Sequence, residues 1–347
     1  MEVILPIMLT KLTTPVTSMP KVNLQLPEVE TKIPKNSRLT LFHGVHSITD
    51  NGEYDWLEWI NCGGFGDVWL ANFTDRTGRE SKVAIKCLEK TDDSVENEKV
   101  EHEILVLQHI NKCRDRHNIN IGFEHLLSYK DSFIAELEKG KKYYCLVTEY
   151  AAGKSLANKI LEMSYSESFI SEVVRQVLEA LFCLHEITFY LHNDIKPQNI
   201  LFLGGNSNEI HVIIADFGNA RPLNSKQEIS SSLLRPSTLM YDAPEVKEKN
   251  IGIGPKADIY SLGLVALEML LKLYTKDDDF SRQPFDVWFD ALRHGVTELE
   301  ELPNWLQISP KGRDLIKQLL SRDSTKRVSI SEALQHQWLK GQKNSYP

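Results

Sequence analysis

The sequence is poor in cysteine and has no long apolar run. Its 347 residues include five cysteines, an odd number, and none forms a CxxC pair or another spacing typical of metal ligands. This argues against a disulfide framework and indicates free thiols in a reducing compartment, so we expect a cytoplasmic location, with the nucleus as an alternative. No apolar stretch reaches the roughly 18 residues that a membrane-spanning helix needs, which predicts a chain without a membrane span.

Basic charge is also scarce. The 40 Lys and Arg residues are outnumbered by 48 Asp and Glu residues, which gives a formal net charge of −8 and a pI of about 5.8. Domains that bind nucleic acid usually carry a basic excess or a basic stripe, so we predict no nucleic-acid partner.

The hydrophobic share of 41% can fill a core, and the length fits a two-lobed enzyme. The oligomeric state stays open.

Prolines interrupt the first part of the chain. Five of the 14 prolines fall within it: Pro6, Pro15, Pro20, Pro27 and Pro34. This density disfavours regular structure, so we expect residues 1–50 to be a poorly ordered N-terminal extension. A folded domain then covers residues 51–340, and residues 341–347 form a short tail.

Residues 51–150 are predicted to form a small sheet with one helix. Two strand-like runs flank a glycine-rich turn, and further strand-like runs cover residues 82–88 and 143–150. Between Ser94 and Asn111 the apolar residues recur at helical spacing.

Residues 151–340 are predicted to be mainly helical. Apolar residues recur every three or four positions over residues 169–184, and residues 258–271 are apolar enough for a helix buried on all sides. Short apolar runs at residues 200–202 and 211–215 predict two strands. The fold class is therefore α+β, with a small antiparallel sheet lobe that carries one helix and a larger, mainly helical lobe. A cleft between two such lobes is a usual place for small ligands.

Two short patterns in the first lobe suit phosphate binding. The glycines of Gly63-Gly64-Phe65-Gly66 let the backbone approach phosphate oxygens without a Cβ in the way, although the same residues also fit an ordinary turn. In the strand that follows, Ala84 and Lys86 point to one face. A small Ala there leaves room for a flat base, and the lysine can reach phosphates.

The lysine at position 86 needs an acidic partner if it lies in a cleft. A lysine at a strand end is also commonly a solvated surface residue. We expect the partner to be Glu103 on the predicted helix, with Glu101 and Glu98 as alternatives.

Residues 192–201 hold the most informative pattern, Asp-x-Lys-x-x-Asn, formed by Asp194, Lys196 and Asn199. Asp216-Phe217-Gly218 follows after a short predicted hairpin. A carboxylate can orient a hydroxyl, an ammonium can screen phosphate charge, and Asn with a second Asp can hold metal ions. Single Asp and Asn residues in loops usually form turns or caps, but this order and spacing indicates phosphoryl transfer from a metal-bound nucleotide.

In their order and spacing, these motifs resemble those of the eukaryotic protein kinase family over residues 55–340. The resemblance implies a two-lobed protein-kinase-like fold and a protein kinase that uses ATP and acts on protein substrates. It implies that Asp194 orients the substrate hydroxyl and that Lys196 steadies the γ-phosphate. Asn199 and Asp216 are implied to hold Mg²⁺, with Mn²⁺ as an alternative.

The same resemblance implies a nucleotide site and a structural frame. Lys86 would pair with the α- and β-phosphates and with Glu103. The residues implied to contact the nucleotide are Ile60, Asn61, Gly63, Gly64, Phe65, Gly66, Val68, Ala84, Lys86, Thr148, Glu149, Ala151 and Leu201. Glu245 is implied to pair with Arg327, and Asp258 to brace the catalytic loop.

The acceptor is expected to be a Ser or Thr hydroxyl. Lys196, together with Ser237-Thr238 before Tyr241, resembles the serine/threonine branch of the family. Two other functions stay open, a pseudokinase with the same fold but no turnover, and a kinase of small molecules. Pseudokinases typically lose at least one of four residues that are all present here: Lys86, Asp194, Asn199 and Asp216. Ala243-Pro244-Glu245 resembles the branch that acts on proteins.

Two positions depart from the family pattern. Asn61 stands where the first glycine of the loop is usual, and Asn tolerates a positive φ better than most residues. Asn193 stands where an arginine is usual, and that arginine receives the activation-segment phosphate in the family. A neutral amide cannot form the bidentate charged pair. We therefore predict an enzyme that needs little or no phosphate on this segment, although it contains Ser225, Ser230, Ser231, Ser232, Ser237 and Thr238.

Overall fold

The computed structural model describes residues 24–29, 31–32, 46–63, 66–92, 94–117, 122–138, 140–162, 165–204, 210–224, 240–247, 253–274 and 285–340. These residues form twelve β-strands and eight α-helices, joined in places by short 3₁₀ or π turns. The strands are β1 (Glu28–Val29), β2 (Thr31–Lys32), β3 (His46–Ile48), β4 (Gly52–Gly63), β5 (Gly66–Asp75), β6 (Glu80–Glu89), β7 (Tyr129–Glu138), β8 (Lys141–Glu149), β9 (Tyr190–Leu191), β10 (Ile200–Phe202), β11 (Val212–Ile214) and β12 (Arg221–Pro222). The helices are α1 (Ser94–His117), α2 (Leu156–Glu162), α3 (Glu167–Phe182), α4 (Lys256–Leu273), α5 (Phe285–His294), α6 (Pro310–Leu319), α7 (Ile330–Leu334) and α8 (Gln337–Lys340).

The described residues divide into two compact units. The sheet unit contains the described residues up to Asp115 together with Leu127–Ala152, and the helical unit contains Arg116–Leu126 and the described residues from Gly153 onward. The predicted fold class is confirmed, because the smaller unit is a sheet with one helix and the larger unit is mainly helical. The two units divide after Ala152, and the sequence predicts a boundary after residue 150. The sequence did not predict that residues 116–126 belong to the helical unit.

One sheet contains strands β1 to β8 in the order β1-β7-β8-β6-β5-β4-β3-β2. Only β1 and β7 run parallel, and the other neighbours are antiparallel. Side chains alternate between the two faces of the sheet along β6. Val83, Ile85 and Cys87 point to one face, where they are buried in a hydrophobic core with Trp56 and Phe133. The residues between them face the opposite side. The predicted strands at 82–88 and 143–150 are therefore present, whereas β7 was not predicted.

Residues before position 50 contribute three strands to the sheet, although the sequence predicts a poorly ordered extension there. The strands β1 and β2 lie at opposite ends of the strand order, and β2 also lies beside β7. The sheet therefore curls until its two ends meet. We call residues 28–29 and 31–32, which form the two end strands, the strap. Proline permits this pairing because Pro27 contributes only its carbonyl group, which accepts a hydrogen bond of 2.8 Å from the Ile134 amide.

The helical unit is built round α4, whose side chains are almost all buried. A Cβ added at Gly263 would lie 2.8 Å from Leu320 Cδ2, so this glycine allows close packing next to α6. Helix α3 begins after Ser166, whose hydroxyl accepts a hydrogen bond from the Phe169 amide. Across the described segments, no helix combines the length and the apolar character needed to span a membrane.

The segment 122–126 lies against α3 and β11, which explains why it belongs to the helical unit. Gly122 has a φ of +90°, and a Cβ there would lie 2.4 Å from the Glu179 carbonyl oxygen. Only glycine fits this contact without strain. His125 Nδ1 lies 2.8 Å from the carbonyl oxygen of Val212, to which it donates a hydrogen bond.

Candidate active site

The sheet unit brings four of the predicted nucleotide-site residues to one face. Val68 lies opposite Lys86 in the register of β5 and β6, and Ala84 lies opposite Thr148 in the register of β6 and β8. Directly opposite residues of antiparallel strands point to the same face, and so do alternate residues of one strand. These four side chains therefore share the face of the sheet that does not carry the core.

Lys86 is paired with Glu103 of α1. The Nζ–Oε2 distance is 2.7 Å, and the two side chains are only 16% and 6% exposed. Removing one partner of such a poorly exposed pair typically costs about 3–5 kcal/mol. Of the two alternatives, Glu101 accepts a hydrogen bond of 2.8 Å from the Tyr144 hydroxyl, and Glu98 is exposed. The geometry thus distinguishes three glutamates that the sequence could only rank.

The glycine-rich turn closes the hairpin of β4 and β5. Gly63 at the end of β4 is paired with Gly66 at the start of β5. Gly66 has a φ of +122°, and a Cβ there would lie 2.4 Å from the Cys87 carbonyl oxygen, so this position requires glycine. The predicted contacts at Gly64 and Phe65 lie outside the described residues.

The remaining predicted nucleotide contacts fall in both units. Ile60 and Asn61 belong to β4, Glu149 ends β8, and Ala151 follows it within the sheet unit. Leu201, on β10, belongs to the helical unit. Leu201 therefore belongs to a different unit from the other predicted nucleotide contacts that the structure describes.

Asp194 is the centre of a polar cluster in the helical unit, and its side chain is 3% exposed. Its Oδ2 accepts hydrogen bonds from Lys196 Nζ at 2.7 Å and Asn199 Nδ2 at 3.2 Å, and a longer one from Asn219 Nδ2 at 3.4 Å. Asn199 Nδ2 also donates to the Asp194 carbonyl oxygen at 2.9 Å. Because the amide nitrogen makes these contacts, the Asn199 amide oxygen points elsewhere and can serve as a cation ligand.

Asp258 fixes the backbone that carries this cluster. Its carboxylate accepts hydrogen bonds of 2.8 Å from the backbone amides of His192 and Asn193 and from His185 Nε2. Burial alone would raise the pKa of Asp258, but the hydrogen bonds from the His185 ring and from the His192 amide outweigh it and hold that pKa below its usual value. Asn193 has a φ of +63°, a conformation that Asn adopts more readily than most residues.

A second contact joins the catalytic loop to the strand that precedes Asp216. His192 Nδ1 accepts a hydrogen bond from the Asp194 amide at 3.3 Å, so Nε2 carries the proton and donates to the Ala215 carbonyl at 3.2 Å. In addition, the Ala215 amide donates to the Asn199 carbonyl at 2.8 Å. The pairing of β10 with β11 therefore brings Asn199 beside the chain that leads into Asp216.

These contacts test whether a divalent cation fits. Asn199 and Asp216 offer an amide oxygen and a carboxylate, which are the oxygen donors that hard cations prefer. Asp216 has a φ of +64°, a conformation that turns the chain sharply just after the strand. The donor chemistry fits a cation of this class.

The end of the predicted activation segment is tied down by two arginines. Arg327 forms a bidentate pair with the Glu245 carboxylate, with NH1–Oε1 and NH2–Oε2 distances of 2.6 and 3.0 Å, and its side chain is fully buried. Arg293 donates to the carbonyl oxygens of Asp242 and Met240 at 2.8 and 2.7 Å. The implied pair of Glu245 and Arg327 is thus present. The serines and threonine that could receive phosphate lie outside the described residues.

Three residues of this site were missed by sequence reasoning. Asn219 follows Asp216-Phe217-Gly218 directly, so its position could have drawn attention to it. His185 and Arg293 act through contacts with residues far away in the chain, and no local pattern points to them.

Comparison with known proteins agrees with this geometry. Residues 54–339 match the family model described as protein kinase domain. The chain is 31% identical over 265 residues to calcium/calmodulin-dependent protein kinase cmkA of Emericella nidulans, an alignment covering 76% of this chain and 58% of that protein. It is 29% identical over 290 residues to calcium/calmodulin-dependent protein kinase type 1 of Caenorhabditis elegans, covering 83% of this chain and 75% of that protein. It is 32% identical over 317 residues to serine/threonine-protein kinase PAK 1 of Mus musculus, covering 90% of this chain and 52% of that protein.

Two of these relatives are therefore considerably longer than the part that aligns, since the matched part is little more than half of each. The family model covers most of the chain, so the resemblance inferred from the motifs is confirmed. Members of this family use ATP and a divalent metal to phosphorylate proteins. The chain belongs to the protein kinase family.

Proposed function

We propose that this chain transfers the γ-phosphoryl group of Mg²⁺-bound ATP to the hydroxyl groups of Ser and Thr residues in proteins. The observation that carries the proposal is the cluster at Asp194, where Lys196 and Asn199 fix an almost buried carboxylate. A carboxylate held in one orientation can position a substrate hydroxyl for in-line attack, and positioning supplies much of the acceleration in this reaction.

The two lysines have separate roles in this proposal. Lys196 holds a positive charge beside Asp194, where it would stabilise the charge on the transferred group. Lys86, held by Glu103, would contact the α- and β-phosphates. Ala84 and Thr148, on the same face as Lys86, would leave room for the base.

Asn199 and Asp216 would hold the cation. When bound, Mg²⁺ would screen the charge of the phosphate oxygens and help to align them. Their oxygen donors also accept Mn²⁺, so parallel assays with each cation identify the one that supports turnover.

The test is a phosphotransfer assay on the purified chain with labelled ATP, Mg²⁺ and a generic basic protein. We expect label on Ser and Thr, and a loss of at least roughly 100-fold in Asp194→Asn and in Lys86→Met. Asp323→Asn, which changes an exposed carboxylate in the same way, is the matched control. Equal labelling by wild type and Asp194→Asn would reject the enzymatic function, and label on Tyr alone would reject the choice of acceptor.

We further propose that activity needs little phosphate on the activation segment. Asn193 is neutral, and its backbone is already held by Asp258, so the loop keeps its shape without an arginine–phosphate pair. Replacing Ser225, Ser230, Ser231, Ser232 and Ser237 with Ala while keeping Thr238 should leave kcat within about threefold of wild type. A loss of two orders of magnitude would contradict this independence.

We propose a cytoplasmic location, with the nucleus as the alternative. The four cysteines whose side chains are described, Cys87, Cys113, Cys145 and Cys183, are buried and form no disulfide, as is usual in a reducing compartment. Imaging of the tagged full chain in cells tests this, and accumulation in the secretory pathway would contradict it.

A further inference from the structure

Helix α1 is attached to the rest of the sheet unit by further contacts besides its ion pair with β6. Near its start, Asn97 Nδ2 donates to the Thr91 carbonyl at 2.7 Å, and its Oδ1 accepts from the Thr91 amide at 3.3 Å. One turn later, Glu101 Oε1 accepts a hydrogen bond of 2.8 Å from the Tyr144 hydroxyl of β8. The half of the helix that carries Glu103 is thus held by two contacts that do not involve the predicted nucleotide-binding residues.

The second half of α1 is held independently. Asn111 Nδ2 donates to the Tyr129 carbonyl at 2.7 Å, and Gln108 Nε2 donates to the Tyr129 hydroxyl at 3.1 Å. Arg114 donates to the Ser128 hydroxyl at 2.9 Å. A movement of the first half of the helix therefore has to pivot on a second half that is already fixed.

Tyr144 is well placed to oppose such a movement. The residue is 3% exposed. Tyr144 lies opposite Leu88, which is two positions after Lys86 on β6, so the side chains of Tyr144 and Lys86 point to the same face of the sheet, the one on which α1 lies. Burial, followed by the hydrogen bond to Glu101, raises the pKa of the Tyr144 hydroxyl, which therefore remains a donor at every working pH.

The positions of Glu101 and Glu103 on the helix make the two contacts interdependent. Two residues apart, they project about 200° from each other round the helix axis. Tyr144 and Lys86 therefore hold α1 from opposite flanks. A rotation of α1 about its axis that withdraws Glu103 from Lys86 therefore also displaces Glu101 from its position at the Tyr144 hydroxyl.

We propose that Tyr144 and Glu101 are positioning residues that keep the Lys86–Glu103 ion pair formed without nucleotide or a partner protein. Their effect on catalysis rests on the proposed kinase function. Their effect on α1 itself does not, since it follows from contacts within the sheet unit.

The experiment combines kinetics with hydrogen–deuterium exchange of the nucleotide-free chain. In Tyr144→Phe, which keeps the ring, we expect about tenfold lower kcat/KM for ATP and faster exchange in peptides covering residues 97–105. Glu101→Ala should behave the same way, and the double variant should be no worse than either single one. Glu101→Gln keeps an acceptor oxygen for the hydroxyl, so it should stay within about twofold of wild type.

Tyr54→Phe is the matched control. Tyr54 is a buried tyrosine of the same sheet whose hydroxyl donates to Asp131 at 2.9 Å, so it loses an equivalent hydrogen bond on the core side. It should lower stability without accelerating exchange at residues 97–105. The proposal is overturned if Tyr144→Phe exchanges like wild type, if Tyr54→Phe accelerates α1 equally, or if the two single losses multiply in the double variant.

The two readouts separate this proposal from the kinase function. A wild-type chain without phosphotransfer would refute the function, while the exchange data would still decide whether Tyr144 and Glu101 hold α1. An active wild type in which Tyr144→Phe changes neither readout would refute the positioning role alone.

Discussion

Replacing Asp258 with Asn tests the frame beneath the catalytic loop. The carboxylate accepts three hydrogen bonds, from two backbone amides and His185, and it is 1% exposed. Asn keeps one acceptor oxygen and presents an NH₂ group to at least one of the three donors. The shape of the side chain is retained, so the change isolates the hydrogen bonds and the charge.

The size of the effect follows from these contacts. Losing a hydrogen bond to a charged group costs about 1.5–3 kcal/mol, and leaving a buried donor unpaired costs about 1–3 kcal/mol more. We therefore expect Asp258→Asn to lower the free energy of unfolding by roughly 3–5 kcal/mol. Urea denaturation monitored by tryptophan fluorescence measures this value. Asp314→Asn is the control, because Asp314 is exposed and bonded to His336, and such a pair contributes less than about 1 kcal/mol.

The loss should also depend on pH. The pKa of Asp258 is lowered in the folded chain, so its contribution is fully present above the unfolded value of about 3.9 and is lost as pH falls through the folded value. The difference between wild type and Asp258→Asn should be constant from pH 7 to about pH 5 and become smaller below pH 4. A difference under 1 kcal/mol at pH 7, or one that does not shrink in acid, would refute this account of the loop.

Two further substitutions test the turn and the end of the activation segment. Gly66→Ala should raise KM for ATP by roughly tenfold, because the new Cβ would lie 2.4 Å from a backbone oxygen. Gly78→Ala has a comparable positive φ and nothing within 4 Å, so equal kinetics for the two variants would contradict the steric argument. Arg327→Lys should lower the free energy of unfolding by about 2–4 kcal/mol, because Lys cannot form the buried bidentate pair with Glu245. Arg322→Lys changes an exposed ion pair, so we expect it to lower the free energy of unfolding by less than about 1 kcal/mol. A similar loss in Arg327→Lys and Arg322→Lys would argue against a special role for burial.

Much of the site was predictable because its signals are local. The alternation of β6 fixed which residues share a face with Lys86, and the spacing in residues 194–199 placed three functional groups on one short loop. The sequence ranked Glu103 first among three glutamates but left Glu101 and Glu98 open, because helical spacing gives a face and not a partner. In the structure Lys86 pairs with Glu103, whereas Glu101 accepts a hydrogen bond from Tyr144.

The parts that escaped prediction depend on contacts distant in the chain. Strand β7 breaks its own alternation, with a shift in register near Asp131, whose buried carboxylate accepts hydrogen bonds from Tyr54 and Thr49. The segment 122–126 joins the helical unit through contacts with α3 and β11, which no property of its own sequence indicates. Asn219 lies 25 positions from Asp194 in the chain and meets it just after the turn at Asp216.

The strap has a consequence for how far the chain can be shortened. Pairing with β1 covers Ile134 and Ala135 on the outer edge of β7, and pairing with β2 covers His46 and Ser47 of β3. A chain that begins at residue 51 would expose the backbone amide and carbonyl groups of β7 and β4 along two open edges. Such edges pair readily with strands of other molecules. We therefore expect the removal of residues 1–50 to promote self-association, even though every predicted catalytic residue would remain.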